Sequence, residues 1–157
     1  MNEINLQLYQ SEHFESLNQF ELPEDQEQYT ALPIHSLEIT HERHPIVILN
    51  NNGPVGFFVL HSSDRVKEYS DNRKAMLLTA LSINHSHQRK GFAKKGMEQI
   101  KDFVTETFPS CNEIVLAVNK RNIAAQKLYE KVGYNDTGRR KMGRIGEQLI
   151  FSFPVTR

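Results

Sequence analysis

Among 157 residues there is one cysteine and no tryptophan. A lone thiol, Cys111, excludes an internal disulfide and points to a reducing, cytoplasmic setting. Long apolar runs are missing too: stretches such as Phe57-Phe58-Val59-Leu60 fall far short of a membrane span. The opening Met1-Asn2-Glu3-Ile4 lacks a basic segment leading into an apolar one, so no secretory leader is expected. Nor is there an excess of either charge. Nineteen Lys and Arg balance nineteen Asp and Glu, which argues against wholesale binding to nucleic acid or membrane. Internal repeats and low-complexity segments are absent as well.

What is present describes one soluble, ordered domain spanning residues 1–157. The chain is 38% apolar and 24% charged. A chain of this size buries about 70% of its unfolded surface, enough for a core without staples. The balanced charge conceals a polarity. Residues 1–60 carry one basic residue, Arg43, against nine acidic ones, a net of −8, and residues 61–157 carry the compensating +8. Two readings follow: two solvated faces that differ, or a basic half for an anionic ligand and an acidic half for a cationic one.

Ile4 to Tyr9 alternates like a half-buried strand. Ser11 offers an N-cap, and Phe14, Leu17 and Phe20 form a helical stripe ending near Phe20. A second, broken helical region is expected from Gln26 to Arg43, interrupted at Pro33. Ile46–Leu49 and Val55–Leu60 read as a hairpin across an Asn/Gly turn, whose residues tolerate positive φ. Residues 62–74, mostly polar, are expected to form a mobile loop. Ala75–Ile83 is an apolar strand, and Asn84–Lys90 leads into a helix from Phe92 to Thr107. Its stripe is Ala93, Met97, Ile100, Val104 and Phe108. A strand over Glu113–Val118, a helix over Arg121–Val132 closed by Gly133 and a last hairpin over Tyr134–Arg140 and Glu147–Phe153 complete the chain. The order predicts an α/β fold of the α+β kind: a mixed sheet, a central parallel pair, antiparallel flanks and covering helices.

Gln88-Arg89-Lys90-Gly91-Phe92-Ala93 lies between an apolar strand and a helix start. Unpaired N–H groups, a glycine and the side chains of Arg89, Lys90, Lys94 and Lys95 would suit a diphosphate. Gly91 to Gly96 also fits a loose G-x-A-x-x-G. A dinucleotide fold, however, needs a short turn directly after the strand and an acidic residue ending the next one. Here seven residues precede Gly91 and Val118-Asn119 ends the next strand, so that reading fails. No Gly-Lys-Ser/Thr follows, so a Walker loop is absent as well.

Leu81-Ser82-Ile83 with Gln88 to Ala93, followed by Val118 to Asn122, Ala125 and Leu128 to Tyr134, resembles the GNAT N-acetyltransferase superfamily. The first part is similar to its Q/R-x-x-G-x-G/A signature. The second is similar to its N-x-x-A-x-x-x-Y-x-x-x-G-F/Y signature, at a matching separation. Many members carry glycine at the positions of Arg89 and Ala93, and proline at that of His85.

The resemblance implies a splayed parallel strand pair and direct transfer of acetyl from acetyl-CoA to an amine. It implies that the backbone of Leu81, Ser82 and Ile83 lies along the pantetheine, with the Ile83 N–H near the thioester carbonyl. Leu81 and Ile83 also read as core side chains, and both readings can hold. Amides from Gln88, Arg89, Lys90, Gly91, Phe92, Ala93 and Lys94 would hold the pyrophosphate. Asn122 either contacts coenzyme A or caps its helix. Tyr129 is expected to be the general acid. A phenol with a pKa of about 10 is protonated at neutral pH and can protonate the leaving thiolate.

No carboxylate lies on the central strand, whose polar residues are Thr79 and Ser82, so proton removal from the amine is assigned to water. His85 and His87 read as solvated loop residues. His85-x-His87 and His41-x-x-His44 lack acidic or cysteine partners, so no metal is expected. Arg139-Arg140-Lys141 with Arg144 lacks interleaved aromatics and reads as a solvated hairpin, not an RNA site. In this superfamily the N-terminal helices and the late hairpin wall the acceptor groove. Here the first is acidic over Glu21–Glu27, which fits a small cationic amine of the polyamine or diamine kind. Gln26, Tyr29 and Thr30 are candidate acceptor contacts, or residues of an ordinary exposed helix. A protein lysine or N-terminus is the alternative acceptor, and a non-catalytic acyl-CoA-binding regulator the alternative function. A monomer or homodimer is expected.

Overall fold

In a computed structural model, residues 3–155 are described, and the remaining two at each end of the expected 1–157 domain lie outside them. Seven strands make one sheet in the order β1-β2-β3-β4-β5-β7-β6. They are β1 Ile4–Leu8, β2 Arg43–Asn50, β3 Gly53–His61, β4 Ala75–Ile83, β5 Glu113–Asn119, β6 Asn135–Gly143 and β7 Gly146–Pro154. All neighbours are antiparallel except β4 and β5. A parallel pair needs a long crossover, supplied here by α3 Phe92–Glu98 and α4 Ile100–Thr107. The short helices α1 Phe14–Asn18 and α2 Glu24–Glu27 precede β2, and α5 Ile123–Lys131 follows β5.

The two-residue period of the strands divides the core. Ile46, Ile48, Phe58, Leu60, Met76 and Leu78 face the cluster built by α3, α4 and α5. Val47, Leu49, Phe57 and Val59 face Leu17 and Phe20 on the other side. Gly96 is where α3 lies down on β2: a Cβ there would meet Ile48 Cδ1 at 2.9 Å. The β2–β3 turn follows its residue chemistry, with Asn51 at φ 51° and Asn52 at φ 72°.

Three expectations need correction. The Phe92–Thr107 helix breaks at Gln99, whose side chain donates to the Ile4 carbonyl of β1; a tertiary bond takes the place of helical continuity. The region from Gln26 to Arg43 is mostly irregular, with helix only at α2 and a 3-10 turn at Pro33–His35. Pro33 holds Leu32 extended at ψ 144°. Residues 62–74 are anchored: Val66 and Tyr69 are buried against Leu77, Val115 and Ile150.

β4 and β5 pair only from Ala75–Leu78 to Glu113–Leu116. Beyond that point β5 keeps its ladder with β7 as far as Asn119, whereas β4 continues without a partner on its β5 side. The cause lies in β4. Ala80 sits at φ 58°, and the β3 register jumps from Val59↔Thr79 to Phe57↔Ser82. Three steps on β4 against two on β3 make a bulge, which bends the strand and opens a wedge.

Candidate active site

The wedge is a cavity of about 600 Å³. One wall is formed by Leu78 to Ile83 of β4 and Leu116 to Asn119 of β5, with Gln88, Arg89 and Gly91 to Lys94 beside them. The unpaired edge of β4 leaves main-chain groups available for a polar chain such as pantetheine. Ser82 Oγ is buried there with no partner. At the turn, Arg89 has φ 64° and Gly91 φ 80°. A Cβ on Gly91 would meet nothing within 4 Å, so glycine is required by the backbone angle and not by crowding. Within α3 the first hydrogen bond runs from the Lys95 N–H to the Gly91 carbonyl, at 3.0 Å. The N–H groups of Phe92, Ala93 and Lys94 stand ahead of it, as an anion requires. Lys90 departs from the expectation: it is exposed and does not line the cavity, because the left-handed residues on either side turn it outward.

The other wall draws on distant segments: Asp25, Gln26, Gln28, Tyr29 and Thr30 around α2, with Ile145 and Gln148 of the last hairpin. The expected Gln26, Tyr29 and Thr30 are all here. The N-terminal segment is stitched to the loop before α3. The Glu21 N–H donates to Asn84 Oδ1 (2.9 Å), and the His85 N–H donates to the Glu21 carbonyl (2.8 Å). Gln26 and Gln88 exchange two amide hydrogen bonds of 3.1 and 2.9 Å, and Gln88 Nε2 also donates to the Ile83 carbonyl. The Gln88 side chain therefore ties the two walls together, a role its motif position did not reveal. His87 lines the cavity, whereas His85 is exposed.

Tyr129 lines the cavity from α5 and is the buried residue of that helix. The Tyr129 ring lies 5.7 Å from Tyr134 and meets Phe151 edge-on at 6.5 Å. Burial raises its phenol above the ordinary range, so the hydroxyl holds its proton throughout neutral and mildly alkaline pH. Asn122 caps α5, its Oδ1 accepting from the Ala125 N–H at 3.2 Å, and it also lines the cavity.

Elsewhere the chemistry is quieter. Among the described residues no three His, Cys, Asp or Glu gather as a metal site, and no helix is long and apolar enough to cross a membrane. Cys111 is buried, its thiol donating to the Glu113 carbonyl. Arg139, Arg140 and Lys141 pair with Asp71, Asp136 and Glu68.

A mixed sheet split along its parallel pair, with free amides at the following turn, defines a transferase that handles an acyl thioester of coenzyme A. Residues 5–134 match the acetyltransferase (GNAT) family, and the chain belongs to that family, whose members are acetyl-CoA-dependent N-acetyltransferases. A Bacillus subtilis (strain 168) protein described as "Uncharacterized N-acetyltransferase YbbJ" is 45% identical over 152 residues, covering 94% of this chain and 95% of that one. Among solved structures, the aminoglycoside acetyltransferase AAC(6')-Ib with coenzyme A and kanamycin superposes with a TM-score of 0.74. It is 16% identical, over 97% of this chain and 95% of its own. A spermidine N-acetyltransferase SpeG chimera from Vibrio cholerae and hSSAT gives 0.67 at 18% identity, over 97% and 95%.

Proposed function

We propose that this N-acetyltransferase acts on a small cationic amine, with Tyr129 as general acid. The observation that carries the reading is the wedge between β4 and β5, with Tyr129 in its wall and the acidic α2 at its rim. In the proposed reaction the amine nitrogen attacks the thioester carbon and the C–S bond breaks. The thiolate then takes the Tyr129 proton, and water removes the surplus proton from nitrogen. Burial keeps the Tyr129 phenol protonated until the thiolate leaves. Backbone groups of Leu81, Ser82 and Ile83 hold the pantetheine, and the turn from Gln88 to Lys94 holds the pyrophosphate; Lys90 contributes main chain only. Gln26, Tyr29 and Thr30 contact the acceptor. A small molecule is favoured over a protein lysine because the two fold relatives named above are an aminoglycoside and a spermidine acetyltransferase. Cys111, the lone cysteine, supports a cytoplasmic setting, since no disulfide framework is encoded.

An acceptor panel of polyamines, aminoglycosides and lysine peptides, followed by free-thiol release, tests this reading. Turnover on a small amine is the expected result. Turnover on peptides alone overturns the acceptor class, and coenzyme A binding without turnover on any amine favours a regulatory domain.

A further inference from the structure

The sheet beside the cavity holds a side-chain pair with no part in the reaction above. His61, at the end of β3, is 4% exposed, and its Nε2 lies 2.7 Å from Thr79 Oγ1. Thr79 follows Leu78, the last β4 residue paired to β5, and precedes the bulge at Ala80. It lines the cavity where the wedge begins. Val59 faces Thr79 and Leu77 faces His61, so the pair are diagonal neighbours on one face of the sheet. The threonine hydroxyl therefore sits between a fixed imidazole and the cavity.

An amine that attacks a thioester must aim its lone pair at carbon, and its N–H bonds then need acceptors elsewhere. We propose that Thr79 is a positioning residue for the incoming amine: its hydroxyl donates to His61 Nε2 and turns its oxygen lone pairs toward the amine N–H. This inference rests on the N-acetyltransferase reading of the site. It requires a neutral His61 with its proton on Nδ1, since an imidazolium has no acceptor nitrogen and would turn the Thr79 O–H into the cavity.

The surroundings favour the neutral ring. Burial comes first, followed by Arg65 from the 3-10 turn at Asp64–Glu68 and by Arg43 and His44 from β2; together they lower its pKa to about 4. None of the ion pairs among the described residues involves His61. No proton comes to rest on the ring; it only orients the hydroxyl. A second hydroxyl, Thr30 Oγ1, is buried in the lining of the same cavity without a partner, which gives the amine another acceptor.

The test combines kinetics of Thr79→Val and Thr79→Ser with ¹⁵N NMR of His61 in the wild-type protein. With an amine that the wild type acetylates, Thr79→Val is expected to raise the KM for that amine about tenfold, the effect of one lost hydrogen bond. Coenzyme A affinity stays unchanged, and Thr79→Ser returns to within about twofold of wild type. The spectrum at pH 7 should show a neutral ring with bare Nε2. A wild-type KM in Thr79→Val, or an Nε2–H, overturns the proposal. If the wild type acetylates no amine, the functional reading fails by itself, and the NMR result still decides whether the hydroxyl is held as described.

Discussion

The two walls of one cavity are built by different means. The proposed coenzyme A wall is a bulged strand, an unpaired edge and a turn at positive φ. The proposed acceptor wall is assembled from α2 and the β6–β7 hairpin, which meet only in the folded protein. Main-chain recognition tolerates many side chains, so it suits the donor shared by a whole family. Side-chain recognition changes with each substitution, so it suits an acceptor that differs from member to member.

Substitutions can break or sharpen this contrast. The largest effect is expected at Tyr129, which lines the wedge itself. Tyr129→Phe should lower kcat about 100-fold with coenzyme A affinity retained, measured by thiol release and calorimetry. Because burial raises the phenol, wild-type kcat should not decline through its deprotonation below the ordinary phenol range, near pH 10.

Next comes the turn. Gly91→Val forces a branched residue into φ 80°, at a cost of about 1–2 kcal/mol. It should weaken coenzyme A binding about tenfold and lower Tm by about 2–4 °C per kcal/mol, whereas Lys94→Ala on the same turn should change affinity only two- to threefold. An equal loss in both variants would mean that side chains, and not backbone, hold the pyrophosphate.

The acid limb of stability follows. His61 has its folded pKa lowered to about 4, so its contribution is complete above the unfolded value and is lost as pH falls from about 6.5 towards 4. His61→Gln should flatten that part of a Tm-against-pH curve.

The smallest effect is at the rim. Asp25→Asn should raise the amine KM only two- to threefold, with the difference disappearing at high salt, because an exposed charge is screened.

Particular residues show what in the two walls was readable. Gly91, Asn122 and Tyr129 were legible as cavity-lining residues because their spacing matches the two family signatures over short stretches of chain. The hairpin at Asn51–Asn52 was legible for the same local reason. The bulge at Ala80 left no mark, since alanine fits any strand and the distortion arises in the register of β4 against β3. The break at Gln99 and the burial of Val66 and Tyr69 likewise depend on β1 and on β4, β5 and β7. Thr79 was seen only as a polar residue on the central strand, because its partner His61 is eighteen residues away on β3.

By itself the sequence determined most of the order of strands and helices, through periodicity and turn residues among near neighbours, and the family, through two signatures and their separation. Tertiary structure alone decided the bulge at Ala80, which hydroxyl meets His61 and how Gln26 reaches Gln88. Those depend on strand register and on packing between segments some sixty residues apart, and no local pattern encodes them.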